Sequence, residues 1–502
     1  MLIRCIKNGV NMRSSGILLH PSSLPHHGPC GDLGAGAIQF LDWLHKAGVG
    51  LWQTLPLHPP GAGFSPYSSH SAFAGAVYLC SLQQFVEQGL LKHDETIPPA
   101  HDERIVLDAI QNWKIPLIYK AAQNLLEQTP ESIEQWISTQ HWVEDWSLFC
   151  ALQKKYDVHG WQNFPKDLAQ RKSKALKKAR KELINEMKLE QAAQYLFFKQ
   201  WERIKKAAAD RNIKIVGDMP IFVAADGCDA WTHRHLFRWD KDGNADPLAG
   251  APPDAFSDMG QHWGNPLYNW KEHKKEKFAW WIRRINAELE LSDYVRIDHF
   301  RGFCAAWEIP RSANGDARKG SWGPSPGREL FTTLQNKWPE LPFVAEDLGV
   351  ITPDVDALRM DYSLMGMKVL QFAFGSYDHM YLPHNFDSPN WACYTGTHDN
   401  DTILGWYHHT CGDEQHRFRV YTSSDGHQAN WEMIRAAWGS TAKWAITTMQ
   451  DILGQGSEGR MNVPGEGGGN WSWRAHELPE EAAYRLWSVN ETFNRLPKQR
   501  TS

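Results

Sequence analysis

Four short apolar runs in this sequence end in carboxylates. Asp218 follows Ile-Val-Gly, Asp298 follows Val-Arg-Ile, Glu346 and Asp347 follow Phe-Val-Ala, and Asp399 follows the run Trp391–Thr397. The stretch Tyr294 to Gly302 (YVRIDHFRG) carries the most chemistry per residue. Side chains alternate across a strand, so Tyr294, Arg296 and Asp298 share one face and Val295 and Ile297 the other. A guanidinium two residues before a carboxylate, on the same face, favours the charged form that a nucleophile needs. Taken alone, the pair reads equally as a structural ion pair at a strand end. Each of the other acids, taken alone, reads as a cap on the helix that follows it.

The elements that would position these acids are short strands alternating with helices. Strand-like runs fall at 16–20, 50–57, 213–223, 294–300, 342–348, 367–374, 391–397 and 445–449. Helical periodicity marks 37–46, 142–155, 176–209, 271–289, 328–337, 353–360 and 414–440. Strands buried on both faces and separated by helices imply a parallel sheet. Eight such units predict an α/β fold, a (β/α)8 TIM-type barrel with mostly helical insertions; an open doubly wound sheet is the alternative. The whole chain, 1–502, reads as one catalytic barrel, with a mostly helical inserted subdomain at 81–211, an active-site covering loop region at 224–270 and a helical insertion at 407–443. All strand C-termini of a parallel barrel meet at one face, so the acids would converge there beside Arg296, His299 and His398. Paired carboxylates in one cleft suit glycosidic chemistry, with one as nucleophile and another as proton donor.

Composition excludes several other classes. The net charge of −5, from 53 basic and 58 acidic residues, supplies no field to attract nucleic acid or an acidic membrane. The basic run Arg171 to Lys181 keeps helical spacing of Leu176, Ala179, Leu183 and Met187, as a solvated helix face does. Eight cysteines between Cys5 and Cys411 form no CxxC pair, which fits a reducing, cytoplasmic setting rather than a disulfide framework or zinc site. No apolar run at the N-terminus is long enough for a signal peptide or a membrane span, and residues 1–11 read as an upstream extension before Met12. The glycines at 31–36 do not follow the dinucleotide-binding order, and no P-loop, HExxH or GxSxG pattern occurs.

A series of stretches, in order, resembles one family: GILLHPSSLP (16–25), LWQTLPL (51–57), SPYSSHSAFAG (65–75), VGDMPIFVA (216–224), PPDAFSDMGQHWGNPLYNW (252–270), VRIDHFRGF (295–303), VAEDLG (344–349), LPHNF (382–386), THDNDT (397–402), RMNVPG (460–465) and NWSWR (470–474). They resemble the 4-α-glucanotransferases, also called amylomaltases or disproportionating enzymes, of glycoside hydrolase family 77 in the α-amylase clan. The resemblance implies Asp298 as nucleophile, Glu346 as general acid/base and Asp399 as the third carboxylate. It implies that Asp218, Arg296, His299, His384 and His398 line the glucose beside the cleaved bond, and that Ser65, Tyr67 and Asn462 contact sugar. Trp263 lies in the loop that the family folds over its cleft.

The implied activity is transfer of an α-1,4-glucan segment to the 4-hydroxyl of an acceptor glucan or glucose, with retention through a β-glucosyl ester of Asp298. An α-1,4-glucan hydrolase of the same clan is the alternative. Substrates are maltooligosaccharides and longer α-1,4-glucans, with glucose as acceptor. Neither metal nor cofactor is expected. Glu346 is expected to have a raised pKa, through burial near Asp298 and Asp399. Three departures from the family pattern stand out. Ser68 replaces the usual glutamine, Ala76-Val77 the usual Asn-Pro, and Gly375 the usual acid, with Asp378 nearby.

Overall fold

The computed structural model describes residues 13–99, 103–253, 257–466 and 468–497. Residues 1–12, which include Cys5, and residues 254–256 lie outside the described residues.

Eight parallel strands form the central sheet: β1 (Ser14–Leu18), β2 (Leu51–Gln53), β3 (Lys214–Pro220), β6 (Tyr294–Asp298), β9 (Phe343–Ala345), β10 (Gly366–Val369), β11 (Trp391–Tyr394) and β12 (Trp444–Thr448). Neighbours follow chain order, and β12 pairs back with β1. The seam between β9 and β10 is closed by the parallel bridge Val344–Met365, with Ala345 N donating to Met365 O at 2.7 Å. The expected (β/α)8 barrel is therefore the observed fold. Its strands are shorter than the apolar runs that announce them, because pairing stops where the chain turns out into loops. Leu370–Phe372, for instance, is already a 3-10 turn.

Alternation within β6 is as expected. Arg296 stands opposite Asp218 of β3, and Asp298 opposite Pro220. Val295 and Ile297 are buried on the outer face, in one apolar cluster with Trp280, Trp281 and Ile285 and with Leu330, Phe331 and Leu334. These two sets belong to helices Ala279–Leu291 and Gly327–Lys337, which clothe that side of the barrel.

The segment between β2 and β3 is mostly helical. Ile115–Gln128, Pro130–Ile137 and Val143–Tyr156 all pack on the long helix Ile184–Asp210, which also touches β3 and the barrel helix Ala279–Leu291. One helix thus serves as the spine of the excursion and as part of the barrel wall. The basic run lies on helix Ser173–Glu182, which buries Leu176 and Ala179 and turns its lysines outward.

The span 224–270 is more ordered than a polar loop. It holds helix Cys228–Thr232 and an antiparallel pair, β4 (Leu248–Ala251) and β5 (Gln261–Pro266). A second hairpin, β7 (Ala305–Ile309) and β8 (Ser321–Pro324), leaves the barrel after β6 and joins through β4–β7 pairing. The resulting sheet has the order β5-β4-β7-β8. Local pattern does not announce it, since its central pairing joins segments from two different loops. Among the described residues, no helix is long and apolar enough to cross a membrane.

Candidate active site

The carboxyl ends of β3, β6 and β9 and the loop after β11 open onto a cleft of about 430 Å³. Asp298, Glu346, Asp399, Arg296, His299, His398, Ser65, Tyr67, Trp263 and Asn462 line it. Asp298 ends β6, and its carboxylate lies 2.9 Å from Nη2 of Arg296. The other guanidinium nitrogen of Arg296 donates to both oxygens of Asp218, at 2.9 and 2.8 Å. Arg296 is buried. Burial opposes its charge but is outweighed by Asp218 and Asp298, so its pKa is raised.

Asp218 is not among the residues that line the cleft, and its side chain has no exposed surface. It receives the Tyr67 hydroxyl at 2.9 Å as well as Arg296. Burial raises its pKa; Arg296 opposes this, the charge of Asp298 adds to it, and the Tyr67 hydrogen bond opposes it. The group anchors Arg296 and Tyr67. Ser65 caps the turn that carries Tyr67, its hydroxyl accepting from Tyr67 N at 3.3 Å, and Pro66 opens that turn. The Tyr67 ring stacks on His398 at 4.7 Å, with Trp471 leaning on both at 5.8 and 5.6 Å.

Glu346 sits just past β9. Its two oxygens accept the backbone N–H groups of His299 at 2.7 Å and Leu348 at 2.9 Å. The first bond requires the chain to turn sharply after Asp298, and His299 does so with φ of 53°, a left-handed conformation that costs a non-glycine residue energy. The Glu346 carboxyl is pushed up to about 7. Burial is the main cause; Arg296 opposes it, the charge of Asp298 adds to it, and the two backbone donors oppose it. The expected rise is present, and its electrostatic part comes from Asp298 rather than Asp399.

Asp347, the neighbouring acid, faces the other way. It accepts from Met367 N at 2.7 Å and pairs with Arg359 of helix Pro353–Asp361 at 3.1 Å. It is a strut between barrel and helix.

Asp399 presents a carboxylate that accepts from Asn462 Nδ2 at 2.6 Å and lies 3.3 Å from His398 Nε2. Its backbone carbonyl receives Arg460 at 2.6 Å. Burial lowers the His398 pKa, and burial lowers that of His299 to about 4, so neutral imidazoles are favoured at both positions. His299 packs edge-on to Trp263 at 4.7 Å. Ser68, which stands where the family usually has glutamine, also lines the cleft.

His384 is not brought to this cleft. It is exposed on the turn Pro383–Asn385, with its ring nitrogens 3.2 Å from the Tyr421 hydroxyl and 3.2 Å from the Tyr377 carbonyl. Trp322, Arg301, Val350 and Trp471 are lining residues that sequence reasoning did not single out, although Arg301 and Trp471 lie within stretches that carry the resemblance. Among the described residues, no group of three or more His, Cys, Asp or Glu side chains is placed to hold a metal ion.

Comparison with known proteins agrees with this geometry. The profile of glycoside hydrolase family 77, 4-alpha-glucanotransferase, matches residues 19–479. The 4-alpha-glucanotransferase of Thermus thermophilus is 42% identical over 499 residues, covering 96% of this chain and 99% of that protein. The chloroplastic/amyloplastic 4-alpha-glucanotransferase of Solanum tuberosum is 40% identical over 501 residues, covering 96% of this chain and 87% of that protein. The amylomaltase of Streptococcus agalactiae, solved in complex with acarbose, superposes with a TM-score of 0.94 at 35% identity, covering 97% of this chain and 100% of that one. With barrel, acid cluster and nearly full-length similarity in agreement, the chain belongs to the 4-alpha-glucanotransferases of glycoside hydrolase family 77.

Proposed function

We propose that this protein moves a segment of an α-1,4-glucan to the 4-hydroxyl of another glucan or of glucose, by two displacements at one anomeric carbon. The observation that carries this reading is the pairing of unlike carboxyls. Asp298 is held on the Arg296 guanidinium, while Glu346 beside it has a pKa raised to about 7. A nucleophile and a proton donor are distinguished in this way, by environment rather than by type.

In the first displacement an Asp298 oxygen attacks the anomeric carbon. The glycosidic C–O bond breaks, and its electron pair stays on the departing 4-oxygen, which takes the proton of Glu346. In the second, Glu346 takes the proton of the acceptor 4-hydroxyl, whose oxygen attacks the same carbon. The ester bond to Asp298 breaks, and the carboxylate is restored. Two inversions leave the α configuration. Asp399, oriented by Asn462, holds hydroxyls of the reacting sugar, and the Tyr67–His398 stack walls it. Arg296 and His299 complete that pocket, with Asp218 acting through Arg296.

Incubation with maltotriose, followed by separation of the products, tests the reading. Glucose together with longer maltooligosaccharides supports transfer. Short sugars alone assign the protein to hydrolysis, with water taking the place of the acceptor. A cytoplasmic location is proposed from the seven described cysteines, all of them free, which fits a reducing compartment. Fractionation of the native cells tests it.

A further inference from the structure

The reacting-sugar pocket accounts for the acids but not for a further aromatic ring that lines the cleft. Trp322 of the edge strand β8 lines the cleft and is 37% exposed, as much as Trp263 on the other edge strand of the same sheet. An indole held half-exposed on a cleft wall is a flat apolar surface that a ligand can cover. Trp322 is also held in place. The Arg301 guanidinium lies 3.7 Å from its ring centroid, and Trp307, its register partner on β7, meets it edge-on at 5.0 Å. Arg301 is itself buried. Its Nη1 donates to Val350 O and to the Thr352 hydroxyl, each at 2.9 Å, and its Nε is buried without a hydrogen-bond partner. A cation so placed contributes little as an ion pair and much as a brace. It joins the Trp322 ring to the loop 348–352, which follows Glu346 directly.

That loop gives the ring its place in the reaction. Glu346 protonates the departing oxygen, so the sugar on its side of the scissile bond belongs to the leaving group and afterwards to the acceptor. Tyr67, His398, Asp399 and Asn462 surround the donor glucose instead. Leu348, Gly349 and Val350 line the cleft on the Glu346 side, and Trp322 is tied to them through Arg301. A flat apolar ring with one face backed by a cation offers the other surfaces to the C–H face of a pyranose.

We propose that Trp322 is a stacking platform for a glucose ring of the acceptor glucan, and that Arg301 is the positioning residue that holds it against the loop after Glu346. This rests on the transferase reading above and adds to it the surface that selects a sugar hydroxyl over water.

The experiment uses the full chain with α-maltosyl fluoride as donor and maltose as acceptor. Fluoride release reports formation of the ester, and maltooligosaccharide yield reports its capture. Trp322→Ala is expected to raise the maltose concentration for half-maximal transfer about tenfold and to increase the share of ester lost to water. Trp322→Phe is expected to restore most of the acceptor affinity. Arg301→Lys is expected to shift it in the same direction as Trp322→Ala, because a lysine cannot cover an indole face with a plane of donors. Unchanged half-saturation in Trp322→Ala overturns the platform. So does a Trp322→Phe variant as impaired as the alanine variant, or a loss confined to fluoride release. If the unaltered protein releases fluoride but transfers nothing to maltose, the functional reading falls and the platform with it. If it transfers and only the Trp322 result fails, the functional reading stands.

Discussion

The floor and the rim of the cleft are built on different principles. The floor is barrel. Asp218, Arg296 and Asp298 stand on adjacent parallel strands in register, and the guanidinium bridges two carboxylates at 2.8–2.9 Å. The rim is a four-stranded antiparallel sheet assembled from two separate loops, with cleft-lining tryptophans on its two edge strands. The floor fixes charge, and therefore which bond can break. The rim offers apolar surface, and therefore what can bind next to the broken bond. Substitutions in the floor should change the rate of the chemical steps, and those in the rim the competition between acceptors.

The hardest break of this contrast is Asp298→Asn. It removes the nucleophile while leaving a side chain of the same shape, and maltotriose disproportionation should fall on the order of 10⁴-fold or more, read from product separation at long incubation. Near-normal turnover would take Asp298 out of its role.

Glu346→Gln should cost about 10²–10⁴-fold with glucan donors. The unaltered protein gives the sign in its pH profile. The protonated carboxyl is the active donor, so donor turnover should fall above pH about 7, the value to which burial first and then Asp298 raise this group. With α-maltosyl fluoride, whose leaving group needs no proton, that basic limb should vanish from the ester-forming step. A limb that persists would assign it to another group.

Tyr67→Phe removes the hydroxyl that donates to the buried Asp218 at 2.9 Å but keeps the stack on His398. Loss of a hydrogen bond to a buried charge costs about 1.5–3 kcal/mol, so turnover should drop about 10- to 100-fold while acceptor half-saturation stays close to normal. A change in acceptor half-saturation alone would blur the division between floor and rim. The smallest effect is expected at His384. Its ring is exposed and tied to Tyr421 and Tyr377, so His384→Ala should alter maltotriose turnover less than about twofold. A larger loss would mean that the loop carrying it reaches the cleft when glucan is bound.

Much of the floor was legible in the chain before any fold was known. All eight barrel strands are visible as apolar runs, and the same-face placement of Arg296 and Asp298 follows from side-chain alternation. The two hairpins of the rim were not legible. Their strands are short, and β4 and β7 pair across 248–309, a separation that no local window contains. Trp322 was therefore one tryptophan among 25, with nothing in its neighbours to set it apart. His384 was carried in by its place in the LPHNF stretch, and the structure leaves it outside the cleft.

Glu346 and Asp347 mark the boundary between the two kinds of knowledge. Sequence alone determines that two acids follow a strand and that neighbouring side chains diverge, because that is a property of the backbone at each residue. It also determines eight alternating strand and helix units, since hydrophobic periodicity is local, while closure into a barrel rather than an open sheet is seen only in the fold. Only the tertiary structure decides which acid turns to the cleft and which to Arg359, how deep Asp218 is buried, and which loop brings the Trp322 ring to the cleft. Those outcomes depend on strand register, barrel closure and burial, which are set by contacts between residues far apart in the chain.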